Sequence, residues 1–228
     1  MAKKRSRRYQ KAAAKVDRSK RYPLAEGMAL IKSLAGPKFD ETVDIAVRIG
    51  IDAKKTDQLV RGSVSLPKGT GKSIKIAVFA DGEKAKEALA AGADFVGAAD
   101  LAEKIEKGFT DFDMTIASPD MMRFVGKLGK VLGPQGKMPS PKAGTVTPNV
   151  AAAVREFKAG KIEFRTDAGA NVHAAIGKKS FPADDLVTNL TAFVDHLRAL
   201  RPAQAKGAFI QKVVVSTSMG PGVVLAVE

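Results

Sequence analysis

The sequence predicts a mixed fold, α/β and α+β, in which a discontinuous α+β domain from both chain ends carries an α/β domain inserted into it. Three observations support this. Half-exposed, alternating strands of one texture occur on both sides of the middle of the chain. Between them, apolar strands and helices follow one another at βαβ spacing, which reads as a small parallel sheet covered by helices. Finally, 228 residues with 45% hydrophobic content are enough for two modest cores. Residues 1–67 and 160–228 then form the first domain, with a basic N-terminal arm, and residues 68–159 the insert. Two or three consecutive domains would leave much the same pattern.

Residues 1–22 read as a basic arm, helical around Tyr9 to Val16. Ala25 to Leu34 reads as a short helix with Met28, Ile31 and Leu34 on one face, stopped by Gly36-Pro37. Val43, Ile45, Val47 and Ile49 alternate with Asp44, Ala46 and Arg48 as a half-buried strand, and Val60 to Leu66 gives a second. From Lys68 the texture changes. Ile74–Ala80 is nearly all apolar, as a strand covered on both faces would be. A helix over Glu83–Ala91, a short strand at Phe95-Val96, a helix over Leu101–Lys107, a strand over Phe112–Ala117 and a helix over Met121–Leu132 follow. A helix from Val150 to Lys158 closes the block at Gly160. After Gly160 the alternation returns at Ile162 and Phe164. A helix spans about Pro182 to Leu200, with Asp184 and Asp185 in its first turn and Arg198 near its end, which suits the helix dipole. The last strand runs from Phe209 to Ser218.

Charge narrows the partners. Of a net +14, residues 1–21 carry +9: ten basic residues, Lys3, Lys4, Arg5, Arg7, Arg8, Lys11, Lys15, Arg18, Lys20 and Arg21, against Asp17. So dense an arm fits a nucleic-acid binder; a membrane surface or an acidic protein would attract it too. There is no cysteine, hence no disulfide or thiolate chemistry. No apolar run approaches the length of a membrane span, and no signal-peptide segment follows the basic start. With no Trp and two Tyr, stacking bases on aromatic platforms is not the obvious way to hold RNA.

The candidate chemistry is mostly negative. Gly69-Thr70-Gly71-Lys72-Ser73 resembles the end of a phosphate loop, but Leu66 stands where the first glycine belongs and a strand follows instead of a helix. Gly126, Gly129, Gly133 and Gly136, with Lys127, Lys130, Lys137 and Lys142, make a basic Gly/Pro-rich run. Its exposed backbone N–H groups suit a phosphate backbone, and a solvated connection fits equally well. His173 and His196 have no metal-ligand neighbours at zinc spacing, and His196 is expected on the surface. The carboxylates sit among lysines on helix faces. By contrast, Thr217-Ser218-Met219-Gly220 crowds hydroxyls, one flexible apolar side chain and bare backbone at a strand end, before Pro221. That mixture suits RNA, whose 2′-OH both donates and accepts. A Phe such as Phe39, at the head of the first strand, is more often core than contact, although Lys38, Phe39 and Thr42 beside Gly36-Pro37 would make a good RNA-touching edge.

Several blocks occur in one order: Lys38-Phe39-Asp40-Glu41-Thr42-Val43, Asp57–Gly62, Gly129–Pro134 continuing through Met138–Val146, Gly160–Arg165 and Ser218–Pro221. Together, over nearly the whole chain, they resemble the L-one family of bacterial large-subunit ribosomal proteins, the stalk proteins. The resemblance implies a first domain from both chain ends with an inserted Rossmann-like three-layer α/β domain. It implies a non-enzymatic cytoplasmic protein of the ribosome, without cofactor or metal, no membrane partner, and a monomer off the ribosome. The implied partners are the stalk of large-subunit rRNA, exit-site tRNA and the protein's own operon mRNA, which it would repress. A nucleotide-dependent α/β enzyme is the alternative. Carried onto this chain, the RNA surface comprises Lys38, Phe39 and Thr42 with Thr217, Ser218, Met219 and Gly220. Lys161, Arg165, His173, Lys178 and Ser180 are additions, and Lys130, Lys137 and Lys142 a secondary contact. Ser218 stands where the family has Thr, which keeps the hydroxyl and loses a methyl. Gln135 stands where Arg is common and Ser140 where Asn is, which argues against a strong contact from that loop. The doubled connection near Pro67–Lys68 and Ala159–Gly160 suggests a hinge, testable by comparing interdomain geometry free and bound to RNA.

Overall fold

The computed structural model describes residues 5–226 except Lys54 and Lys206, so Lys3 and Lys4 of the basic arm lie outside the described residues. In chain order the elements are α1 (Arg7–Ala14), α2 (Leu24–Ser33), β1 (Thr42–Ile49), β2 (Arg61–Ser65), β3 (Ile76–Phe79), α3 (Gly82–Ala90), β4 (Phe95–Gly97), α4 (Ala99–Glu106), β5 (Met114–Ala117), α5 (Met122–Lys127), α6 (Gly129–Leu132), α7 (Val150–Ala159), β6 (Lys161–Arg165), β7 (Asn171–Lys178), α8 (Ala183–Ala199), β8 (Ile210–Thr217) and β9 (Val223–Leu225). They fall into two compact units: residues up to Gly71 together with those from Ile162 on, and Lys72–Lys161.

The first unit is α+β. Its main sheet has the order β7-β1-β8-β9, with every pairing antiparallel. Alternation along β1 sends Val43, Ile45, Val47 and Ile49 to one face, where they are buried with Val172, Ile176, Val213 and Val215. Met28 and Ile31 of α2 and Leu186, Leu190, Phe193 and Leu197 of α8 complete this core. The separate two-stranded β2–β6 ribbon joins the same core through Phe164, whose ring meets Phe193 edge-on with centroids 5.3 Å apart. Thr42, Asp44, Ala46 and Arg48 face the other way, and are half-buried or exposed. In α1, Ser6 Oγ accepts from Tyr9 N at 3.3 Å, and Ala12 and the following Val16 are buried in the core, so this part of the basic arm is a docked helix.

A β-bulge positions the end of β7. Between Val43 and Asp44 the register slips by one residue, so Asp44 faces Ala175 while Val43 faces Gly177 and Thr42 faces Lys178. Without the extra residue Lys178 would run past the end of β1; with it, Lys178 comes back beside Thr42.

The second unit is a three-layer α/β sandwich with a parallel sheet of order β4-β3-β5. All four residues of β3 are buried, alternating between two cores. Ile76 and Val78 meet α3 and α7, whereas Ala77 and Phe79 meet α4, α5 and α6. Asp81 Oδ1 caps α3 and Asn149 Oδ1 caps α7. The helix expected over Met121–Leu132 is instead a 3₁₀ turn at Pro119–Met121 followed by α5 and α6, broken at Leu128. Gly126 and Gly129 flank the break, where helix propensity is low, while Val125, Leu128 and Leu132 all stay fully buried.

Candidate nucleic-acid interface

The ends of three strands meet at one end of the four-stranded sheet, where β1 begins and β7 and β8 finish. Thr42 lies opposite Lys178, and Ser218 follows directly on β8. Thr42 N donates to Ser218 Oγ at 3.2 Å, Ser218 N donates to Thr42 O at 3.1 Å, and Lys178 Nζ donates to Thr42 Oγ1 at 2.9 Å. The residues just before β1 tie in the flanks. Asp40 accepts from Ser180 N at 3.1 Å and from Ser180 Oγ at 2.7 Å. Glu41, only 2% exposed, accepts from Met219 N at 2.9 Å through Oε1, and its Oε2 lies 3.5 Å from Lys179 Nζ. The turn after β8 closes with Gly220 N donating to Thr217 O at 3.1 Å. A side chain on Gly220 would run into the Thr217 hydroxyl, so the turn needs a bare backbone there.

On this frame two apolar side chains point outward: Phe39 is 54% exposed and Met219 52%. Phe39 is thus a surface residue and not core. Lys38 and Ser218 are exposed beside them, and Thr217 is buried with its hydroxyl against the turn. Thr42, Lys178, Ser180, Thr217, Ser218, Met219 and Gly220 therefore form one connected cluster, with Lys38 and Phe39 leading into it. Asp40, Glu41 and Lys179, which hold the cluster together, were not among the expected site residues; their role emerges only when the strands meet.

The remaining candidates lie elsewhere. His173 pairs with Ala46, four residues along β1 from Thr42 and hence about 13 Å away. Its Nε2 is 3.4 Å from Asp167 Oδ2. Backbone N–H donation from Asn171, chiefly, holds the Asp167 carboxyl below its ordinary range. Between the cluster and His173 sits Asp44, paired with Ala175 and Ser216. Burial pushes its pKa up, and the nearby Lys178 and His173 oppose this without cancelling it. Arg165 is exposed on β6. His196 is half-buried instead of open to solvent, its ring edge-on to Phe164 at 6.0 Å.

The family model for the ribosomal protein L1p/L10e family matches residues 30–221. The chain belongs to that family. Proteins named large ribosomal subunit protein uL1 from Burkholderia mallei, Burkholderia pseudomallei and Burkholderia thailandensis are each 56% identical to it over 218 residues, covering 96% of this chain and 94% of theirs. The span matched by the family model takes in every residue of the strand-end cluster and leaves out α1.

In the second unit of this family member, the Gly/Pro-rich run is an internally bonded loop. The N–H groups of Gly133, Gly136, Lys137, Ser140, Ala143, Gly144 and Thr145 all donate within the run. For these seven groups the reading of exposed backbone donors for a phosphate backbone is corrected. The tight turns at Gly136 and Gly144, both at φ +70°, fold the run onto itself. Lys137 is also committed: its Nζ donates to Thr110 O at 2.9 Å and lies 4.9 Å from the Phe112 ring centroid. Lys130 and Lys142 are exposed. Lys161 is half-buried, with Nζ 2.8 Å from Glu156 Oε2 and over the Phe157 ring. The Gly69–Ser73 segment leads into β3, with no helix N-terminus for a nucleotide phosphate. Among the described residues, no group of three or more His, Asp or Glu could hold a metal ion, and no helix is long and apolar enough to cross a membrane.

Proposed function

We propose that this chain is a structural protein of the large ribosomal subunit that grips the mobile stalk of its rRNA with the strand-end cluster of the first unit. In the same reading it assists tRNA release from the exit site and represses translation of its own operon by binding a similar RNA structure on the messenger. It works in the cytoplasm as part of the ribosome, without catalysis. Family membership supports this reading, as do the relatives named as large-subunit proteins. The observation that carries it is the convergence of Thr42, Lys178, Ser218 and Met219 on one exposed rim.

Each part of the rim has a separate task. Lys178 and Lys38 supply charge for phosphates, the salt-dependent share of the affinity. Thr42 Oγ1 accepts from Lys178, which leaves its hydroxyl proton to donate. The Ser218 hydroxyl makes only a long 3.5 Å approach to Thr42 O, so it too has a proton for a ligand oxygen. Ser180 Oγ gives its proton to Asp40 and keeps acceptor capacity for a 2′-OH. Phe39 and Met219 offer apolar surface for a sugar or a base face. The bare Gly220 lets the RNA backbone come close.

The test is binding of a stalk rRNA fragment against a scrambled RNA of equal length, across a salt series, for wild type and Met219→Ala. The stalk fragment should win by orders of magnitude in wild type, with Met219→Ala removing mainly that preference. If both RNAs bind alike and affinity simply collapses with salt, charge alone explains binding and the assigned site is wrong.

A further inference from the structure

We propose that Met219 is an oxidation switch: two-electron oxidation of its thioether in the free protein turns off RNA binding, and reduction of the sulfoxide restores it. The inference rests on the RNA-binding reading above. Its basis is that, among the described residues, the methionine most open to solvent is the one on the rim. Met28 is fully buried and Met121 is 9% exposed, whereas Met219 is 52% exposed. Met114, Met122 and Met138 are half-buried in the second unit, all three packed against its two cores. Thioether oxidation follows access to the sulfur, so Met219 should react first among the described residues.

The reaction needs a peroxide-class oxidant, for example hydrogen peroxide. The sulfur lone pair attacks one peroxide oxygen and the O–O bond breaks. That oxygen stays on Sδ, its proton passes to the departing hydroxide, and water leaves. The thioether loses two electrons and the peroxide gains them. The product is bulkier and strongly polar, with an acceptor oxygen and no proton. The Met219 amide is fastened to Glu41 at 2.9 Å and the turn is closed by Gly220 N on Thr217 O, so the backbone cannot easily carry the altered side chain away. The sulfoxide oxygen would therefore face an RNA backbone rich in acceptors, in a place that had buried apolar surface. Losing that burial corresponds to roughly a ten- to hundredfold weaker complex. Bound RNA covers Met219, so the switch acts on free protein and spares protein already assembled.

The experiment treats the full chain with hydrogen peroxide, alone and saturated with the stalk rRNA fragment, and follows each methionine by peptide mass spectrometry. RNA affinity is measured before treatment, after it, and after incubation with methionine sulfoxide reductases and a dithiol, which supplies the two electrons and two protons and is oxidised to its disulfide as water leaves. Met219 sulfoxide should form first, RNA should slow it, affinity should fall roughly ten- to hundredfold, and reduction should recover it. Met219→Leu, compared with its own untreated state, should change less than twofold. Earlier oxidation of another methionine, or unchanged affinity once Met219 is fully oxidised, would overturn the switch while leaving the RNA-binding reading intact. If untreated protein shows no preference for the stalk fragment, that reading falls and the switch falls with it.

Discussion

Replacing Glu41 with alanine probes whether the rim is held from beneath. The buried carboxylate joins the segment before β1, the turn after β8 and Lys179 after β7. Alanine leaves the Met219 N–H without its acceptor, which costs about 1–3 kcal/mol for a shielded donor. It also removes the carboxylate from Lys179, whose side chain is 19% exposed and still donates to Leu34 O at 2.5 Å. Partial exposure and that surviving bond hold the second loss to about 1 kcal/mol. The sum, about 2–4 kcal/mol, lies below the stability of an ordinary domain, so the first unit stays folded while its rim loosens. Amide hydrogen exchange reports this directly: protection of the Met219 amide should fall by about 30-fold or more, with a parallel loss of preference for the stalk fragment. Glu41→Gln keeps an acceptor oxygen for Met219 and should cost about 1 kcal/mol, retaining most protection. Equal Met219 protection in Glu41→Ala and wild type, with RNA affinities within twofold, would show that the turn holds itself and that Glu41 is not a positioning residue.

Two further outcomes follow from neighbouring residues. Lys178→Met should weaken binding to stalk and scrambled RNA alike and reduce the salt slope by about one, read from affinities over a salt series. An unchanged slope would mean that the bulge does not aim Lys178 at a phosphate. Asp44→Asn should be more stable than wild type at neutral pH. Burial raises the Asp44 pKa above its ordinary 3.8, so the folded state holds that proton more tightly and the residue's relative contribution declines as pH rises through that range. The advantage of Asn should thus be full near pH 7 and shrink toward pH 3 in paired thermal melts, and an advantage that grows on acidification would reverse the assignment.

What the sequence revealed depended on how strongly each segment is patterned. The strict alternation of Val43 to Ile49 and the apolar run at Ile76–Phe79 announced their strands. β7 did not announce itself, because Ala174-Ala175 and Gly177 have little strand preference and only pairing with β1 makes them a strand. β9 is three residues long and completed from outside its own stretch, with Tyr22 N donating to Val224 O at 2.9 Å. The break at Leu128 was hidden because Val125, Leu128 and Leu132 keep helical spacing across it. At the rim, Ser218, Met219 and Gly220 stood out as a motif, whereas Glu41, between Asp40 and Thr42, suggested no role of its own. Its importance comes from a partner 178 positions away, and nothing local encodes that. The basic Gly/Pro run is the opposite case: its composition allowed exposed N–H groups as readily as a solvated connection, and the fold uses seven of them within the run.

The rim is assembled from segments near residues 40, 180 and 219, so its longest connections are among the last that a growing chain can make. A nascent copy has its basic arm early, but it lacks the Ser218-Met219 half of the grip until that stretch emerges. In the proposed reading, loose attraction to RNA therefore precedes selective capture during synthesis. Under the proposed repression, a partly made copy cannot silence the message from which it is being translated. The feedback then responds to finished molecules and not to rounds of initiation, so supply is adjusted to protein that is ready for assembly.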